Sequence, residues 1–258
     1  ASLFRESPMT SADPIVIVSA VRTPLGRFLG ELSPVAAPQL GAHAIRAALE
    51  RAGLAPDRVD EVLMGCVLPA GQGQAPARQA MRGAGLPDAV GATTVNKVCG
   101  SGMKATMLGH DLLLAGSAEI VVAGGMESMS NAPYLLAKAR SGYRVGHDRI
   151  LDHMMLDGLE DAYEPGRAMG EFGEAAAQRY GFDRAAQDAY AMETLRRARE
   201  AIEGGAFADE IVPVPVAAKG GEKLVDTDEH PLKVSPEKIP TLKPAFAKDG
   251  TITAPSAS

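Results

Sequence analysis

The chain has 258 residues, 46% of them hydrophobic and 22% charged, with a net charge of −6. At about 150 residues per domain this length allows one large domain or two smaller ones with a sizeable core, which excludes disorder. Its 28 glycines and 18 prolines follow no three-residue period, and aromatics make up only 4% with no tryptophan, so collagen-like, low-complexity and base-stacking nucleic-acid readings are excluded too.

The N-terminal residues 1–10 read as a loose leader, with Met9 a candidate native start. The apolar, β-branched run IVIVSA at 15–20 predicts a buried strand, punctuated by Arg22, Thr23, Pro24 and Gly26. Helical spacing of Leu40, Ala44, Ala47 and Ala48 predicts a helix over 39–51 stopped by Gly53. A strand over 61–68, a helix over 75–84, an extended segment at 92–95, a helix over 101–115 and an extended segment at 119–123 closing on Gly124 and Gly125 follow. This alternation predicts an α/β layered domain with a mostly parallel sheet. The helix at 101–115 carries Met103, Ala105, Met107, Leu108 and Leu112 on nearly every face and is expected to be buried.

Beyond Gly125 the texture becomes irregular, which marks a second unit whose clearest element is an amphipathic helix over 184–204. Residues 134–149 hold Lys138, Arg140, Arg144 and Arg149 against Asp148. Residues 150–175 then hold Asp152, Asp157, Glu160, Asp161, Glu164, Glu171 and Glu174 against Arg167. The basic stretch reads either as a solvated face or as a contact for phosphates or a neighbouring subunit.

Chemistry concentrates at VNKVCGSGMKA, residues 95–105, where a strand ends in a cysteine and small residues open a helix. A helix N-terminus favours the thiolate of Cys99, and Gly100 and Gly102 clear space for a carbonyl whose developing oxyanion the Cys99 N–H could face. On the residues alone, a reactive thiol and a small buried hydrophobe stand side by side. Cys66, ending a strand ahead of Pro69, reads as core. Two cysteines are too few for a disulfide scaffold or a structural zinc site and suit a reducing, cytoplasmic setting. No run reaches the roughly 20 apolar residues of a membrane span. His147, Asp148, Asp152 and His153 match no metal-ligand spacing, and Gly71-Gln72-Gly73 is neither a dinucleotide fingerprint nor a phosphate loop.

VNKVCGSGMKA at 95–105, VVAGGMESMSNAPYLL at 121–136 and LKPAFAKDGTITAPSAS at 242–258 occur in the order found in the thiolase family of acyl-CoA acetyltransferases, and residues 15–258 resemble that family throughout. RTPLGRFLGEL at 22–32 and RAAQDAYA at 184–191 are also similar to it. The resemblance implies a layered α/β core half at 11–130, an inserted α+β loop domain at 131–250 that covers CoA and supports oligomers, and the start of a return into the core at 251–258. The family's second core half is absent from this chain. The resemblance further implies that Cys99 attacks a 3-ketoacyl-CoA and holds the acyl group as a thioester until a second CoA collects it, or runs this in reverse. CoA is then substrate, with no separate cofactor or metal, and the assembly is a homodimer or homotetramer without nucleic-acid or membrane partners.

Matched residue by residue, Leu159, Met169, Phe246, Ala254 and Ser258 fall at positions that line the pantetheine arm, while Ala168 stands where many members have a histidine. The family's Gly-His-Pro base and Cys-x-Gly second cysteine do not occur among these 258 residues; His230-Pro231 is preceded by Glu229 and is not expected to be the base. Two other readings share these residues: a non-catalytic CoA-binding or assembly fragment, and a condensing enzyme acting on acyl carrier protein. The residues around Cys99, 97–103, favour the CoA-using branch.

Overall fold

A computed structural model describes residues 14–257; the leader at 1–10 and Ser258 lie outside them. The centre is a three-stranded parallel sheet in the order β2-β1-β3, formed by β1 (Glu61–Gly65), β2 (Gly91–Val95) and β3 (Val121–Gly125). Its register places Glu61 beside Gly91 and Val121, and Gly65 beside Val95 and Gly125.

Side-chain alternation along β1 assigns the two layers that cover the sheet. Val62 and Met64 face a core shared with α1 (Ala37–Ala52) and α2 (Pro76–Gly83), where Ile45, Leu49, Ala77, Ala80 and Met81 are buried. The odd positions face α3 (Ser101–Leu114): a side chain at Gly65 would strike Ser101 and Gly102, while Val121 and Ala123 lie under Gly109. Helices on both faces of a parallel sheet satisfy its apolar strands, as the alternating pattern requires. Gly53 ends α1 at a φ of 64°, and its N–H bonds to the Glu50 carbonyl at 3.1 Å.

Two expectations fail for one physical reason. Residues 15–20 join no strand, with Ile17 82% exposed, and α3 leaves Met103 74% and Leu114 68% exposed. An apolar surface is buried only where a second surface meets it. Among the described residues nothing pairs with 15–20, and α3 is covered on the single face that bears Ser101, Ala105 and Gly109.

Residues beyond 131 form small elements: β4 (Tyr134–Leu135) with β5 (Leu151–Asp152), a π-type turn at Met155–Leu159, α4 (Met169–Tyr180), α5 (Arg184–Glu203), the hairpin β6 (Val214–Ala218) with β7 (Gly221–Val225), and α6 (Glu229–Lys233). Asp183 caps α5 by accepting from the Ala186 N–H at 2.8 Å. Val214, Val216 and Val225 of the hairpin bury against Leu32, Val35 and Leu40. No described helix is long and apolar enough to cross a membrane.

Charge ties the two ends of the chain together. Arg22 donates to both oxygens of Asp228, at 2.7 and 2.9 Å, and to Glu210 at 2.6 Å, while Asp228 also accepts from the Leu25 N–H at 2.8 Å. Burial pushes the Asp228 carboxyl up, but the Arg22 and Leu25 hydrogen bonds with the Arg22 charge outweigh it and hold the group below its ordinary value. Arg22→Ala leaves Asp228 without its counter-charge and is expected to lower unfolding free energy by about 2–3 kcal/mol in urea at neutral pH. Because the folded value lies below the unfolded 3.8, the Asp228 contribution is complete above that range and disappears as pH falls through the folded value. The stability difference between wild type and Asp228→Asn therefore shrinks on acidification below about pH 4; a difference that stays flat to pH 3 would contradict the clamp.

Candidate active site

The candidate nucleophile stands at the C-terminal edge of the sheet, where open α/β sheets place their ligands. Glycine brings three backbones together there. A Cβ on Gly65 would lie 2.7 Å from the Gly102 nitrogen, and one on Gly125 would lie 3.4 Å from the Gly102 Cα. The first turn of α3 therefore sits directly on the ends of β1 and β3. Gly102 serves this contact by facing the sheet, rather than clearing space around the sulfur.

Between the end of β2 and that turn the chain reverses sharply. Val98 adopts a φ of 46°, a left-handed conformation that costs a β-branched residue on the order of 1–3 kcal/mol. Local hydrogen bonds hold it: Asn96 Oδ1 accepts from the Val98 N–H at 3.0 Å, and buried Ser101 donates to the Val98 carbonyl at 2.6 Å while accepting from the Lys97 N–H at 2.8 Å. Cys99 follows as a free, exposed thiol, one residue before the Gly100 cap of α3. The residue thus stands at the N-terminal end of α3, where solvent reaches its side chain.

The second cysteine is its opposite. Cys66 is buried, with Sγ 3.7 Å from Glu127 Oε1 and 3.8 Å from Gln72 Oε1. Burial first, and then the Glu127 charge, push its thiol up to about 11. Glu127 is itself occupied, accepting from the Val67 and Leu68 N–H groups at 2.7 and 3.1 Å.

Four of the other expected site residues gather on the later elements. Phe246 lies against the bare Cα of Gly170, where a Cβ would sit 2.3 Å from the ring, which sets it beside Met169 at the start of α4. Leu159 closes the π-type turn one residue before the Glu160 to Ala168 bridge, and that bridge leads directly into Met169. Ala254 lies in the turn after Ile252, a segment held by Glu174, which accepts from the Thr251 and Ile252 N–H groups at 2.9 Å each. Burial pushes Glu174 up, but these bonds prevail and keep it below the usual carboxylate range. Ser258 is outside the described residues.

The Leu159 turn rests on the same sheet edge as Cys99: Gly158 lies against Leu68, and His153 Nε2 accepts from the Ala70 N–H at 3.3 Å. Among the described residues no three His, Cys, Asp or Glu side chains are grouped to hold a metal ion. His230 is exposed on α6. Sequence reasoning missed Asn96 and Ser101, which brace backbone groups inside the Cys99 segment itself, and Glu127 and Glu174, whose backbone partners lie 59–60 and 77–78 positions away.

Comparison with known proteins gives three findings. The family model described as thiolase, N-terminal domain matches residues 15–258. An acetyl-CoA acetyltransferase of Pseudomonas aeruginosa is 51% identical over 246 residues, covering 95% of this chain and 62% of the relative. Proteins of the same name in Schizosaccharomyces pombe and Cupriavidus necator are 49% and 50% identical over the same coverage. The chain thus spans 62% of the length of these relatives.

Two outcomes follow from the edge geometry. Iodoacetamide at about pH 8 is expected to alkylate Cys99 and spare Cys66, read by peptide mass spectrometry, and equal labelling would contradict the contrast. Gly65→Ala forces β1 away from α3 and is expected to lower stability by about 3 kcal/mol in chemical denaturation.

Proposed function

The chain belongs to the thiolase family, and we propose that it carries the nucleophile of a CoA-dependent acyl transferase, with Cys99 holding the acyl group. The observation that carries this reading is the exposed Cys99 thiol on a strained, hydrogen-bonded reversal at the start of α3. The names of its relatives support acetyl-CoA chemistry.

In the degradative direction the Cys99 thiolate adds to the 3-keto carbon of a 3-ketoacyl-CoA. The bond between its second and third carbons breaks, the shortened acyl group stays on sulfur, and the departing acetyl-CoA carbanion takes up a proton. The thiolate of a second CoA then attacks the Cys99 thioester, acyl-CoA leaves, and the cysteine is regenerated. In reverse, an acetyl group on Cys99 is captured by the carbanion of a second acetyl-CoA.

The motifs that handle protons in the family, Gly-His-Pro and Cys-x-Gly, do not occur in these residues. We assign proton transfer to groups supplied by the full-length protein, since Cys66 is buried beside Glu127 with its thiol pushed up to about 11. Leu159, Met169, Phe246, Ala254 and Ser258 are proposed to line the pantetheine arm. The gathering of Leu159, Met169 and Phe246 around Gly170 and the Glu160 to Ala168 bridge supports that assignment. The exposed apolar side chains of α3 support a homo-oligomeric, full-length assembly in which that helix is covered.

Incubating the full-length protein with acetyl-CoA is expected to leave one acetyl group on the peptide bearing Cys99. Cys99→Ser removes the adduct and lowers turnover by about a thousandfold or more. A wild-type protein that turns over without labelling Cys99 overturns the assignment. Turnover restricted to carrier-protein thioesters would redirect the substrate class.

A further inference from the structure

The His153 side chain is only 5% exposed and works outside the machinery around Cys99. Its Nδ1 lies 2.6 Å from Asp157 Oδ2, and its Nε2 lies 3.3 Å from the Ala70 nitrogen. A backbone N–H can only donate, so Nε2 presents its lone pair there, and the ring proton sits on Nδ1 and donates to Asp157. The His153 N–H meanwhile bonds to the Pro133 carbonyl at 3.2 Å.

This ring therefore joins three pieces of chain. Ala70 belongs to the loop that leaves β1 at the sheet edge, Pro133 opens the segment leading to β4, and Asp157 lies inside the turn that ends at Leu159. That turn is of the π type, a conformation that recurs at functional sites and lacks the regular helical ladder. The turn also meets the edge where Gly158 lies against Leu68, with 3.4 Å between the Leu68 side chain and where a Cβ would stand. Glycine at 71 admits Pro133 to the same loop, with 3.5 Å between the Pro133 ring and where a Cβ would stand.

We propose that His153 and Asp157 form a pin that fixes the Leu159 turn on the sheet edge, making His153 a positioning residue for the CoA arm. The pin rests on the acyl-transfer reading above. The ring touches none of the reacting atoms, so its contribution is to the placement of CoA rather than to the chemical step.

In the full-length protein, Asp157→Ala removes the acceptor at a half-exposed position that folding tolerates, and it is expected to raise KM for CoA about tenfold with kcat within about twofold of wild type. Asp157→Asn keeps a neutral acceptor for Nδ1–H and restores KM to within about threefold. His153→Asn, which retains a donor toward Asp157 but falls short of Ala70, shifts KM in the same direction as Asp157→Ala. An unchanged KM in Asp157→Ala, or a loss confined to kcat, overturns the pin even if His153→Asn does not fold.

Acetylation of wild-type Cys99, measured alongside, separates the two ideas. Adduct formation with no KM shift in Asp157→Ala refutes the pin alone. A wild-type protein that never acylates refutes the transfer reading. The pin is then decided by calorimetry with CoA, where Asp157→Ala weakens binding about tenfold or the pin is wrong.

Discussion

Backbone resting on backbone at the C-terminal edge of the sheet is the constraint from which the site follows. With Gly65, Gly102 and Gly125 lacking side chains, α3 begins directly on the ends of β1 and β3. The chain leaving β2 then has only residues 96–100 in which to rise and reverse, too few for a gradual bend. Val98 takes the left-handed conformation, Ser101 ties both sides of the reversal together, and Cys99 is carried outward into solvent. The sharpness of the reversal that carries Cys99 is thus a consequence of how closely the helix packs on the sheet.

Carboxylates accepting from backbone N–H groups recur throughout the molecule. Asp60 holds the entry to β3 through the Glu119 and Ile120 N–H groups, Glu127 holds the exit from β1, Glu229 holds the loop at 27–31, and Glu174 holds 251–252. Loops have no ladder in which to satisfy their N–H groups, and a carboxylate offers several lone pairs in one place. The negative charge of these four carboxylates faces the protein's own main chain.

Local pattern made the core elements legible. The helix at 39–51 is Ala37–Ala52, the strand at 61–68 is Glu61–Gly65, and the helix at 101–115 is Ser101–Leu114, because periodicity and glycine stops report on residues near in sequence. Burial was less legible. The runs at 15–20 and 101–115 are apolar enough to be interior, but apolarity records a requirement for cover and not its source. The same limit applies at the site: Cys99 was legible from its glycine-flanked neighbourhood, whereas the Glu174 brace on 251–252 joins residues that no local window contains. His153 stands in sequence beside Asp152, His147 and Asp148 and suggests a metal ligand at most, whereas its partners Asp157 and Ala70 lie on the turn and on the sheet edge.

The Arg22 to Asp228 clamp also sets a timetable. Its partners are separated by 206 positions. At roughly 5–20 residues per second during synthesis, Arg22 waits about 10–40 s for its carboxylate to be made. For that interval the loop at 22–32 has no Asp228 or Glu229 to gather its N–H groups, although α1 and the β1-α2-β2 unit behind it have already emerged. The sheet that presents the thiol can assemble early on the ribosome, while the segment that locks the first residues to the last units closes only near the end of this stretch. Any slowing of translation between those two points lengthens the wait of the Leu25, Arg27 and Glu31 N–H groups for their carboxylates rather than delaying the sheet.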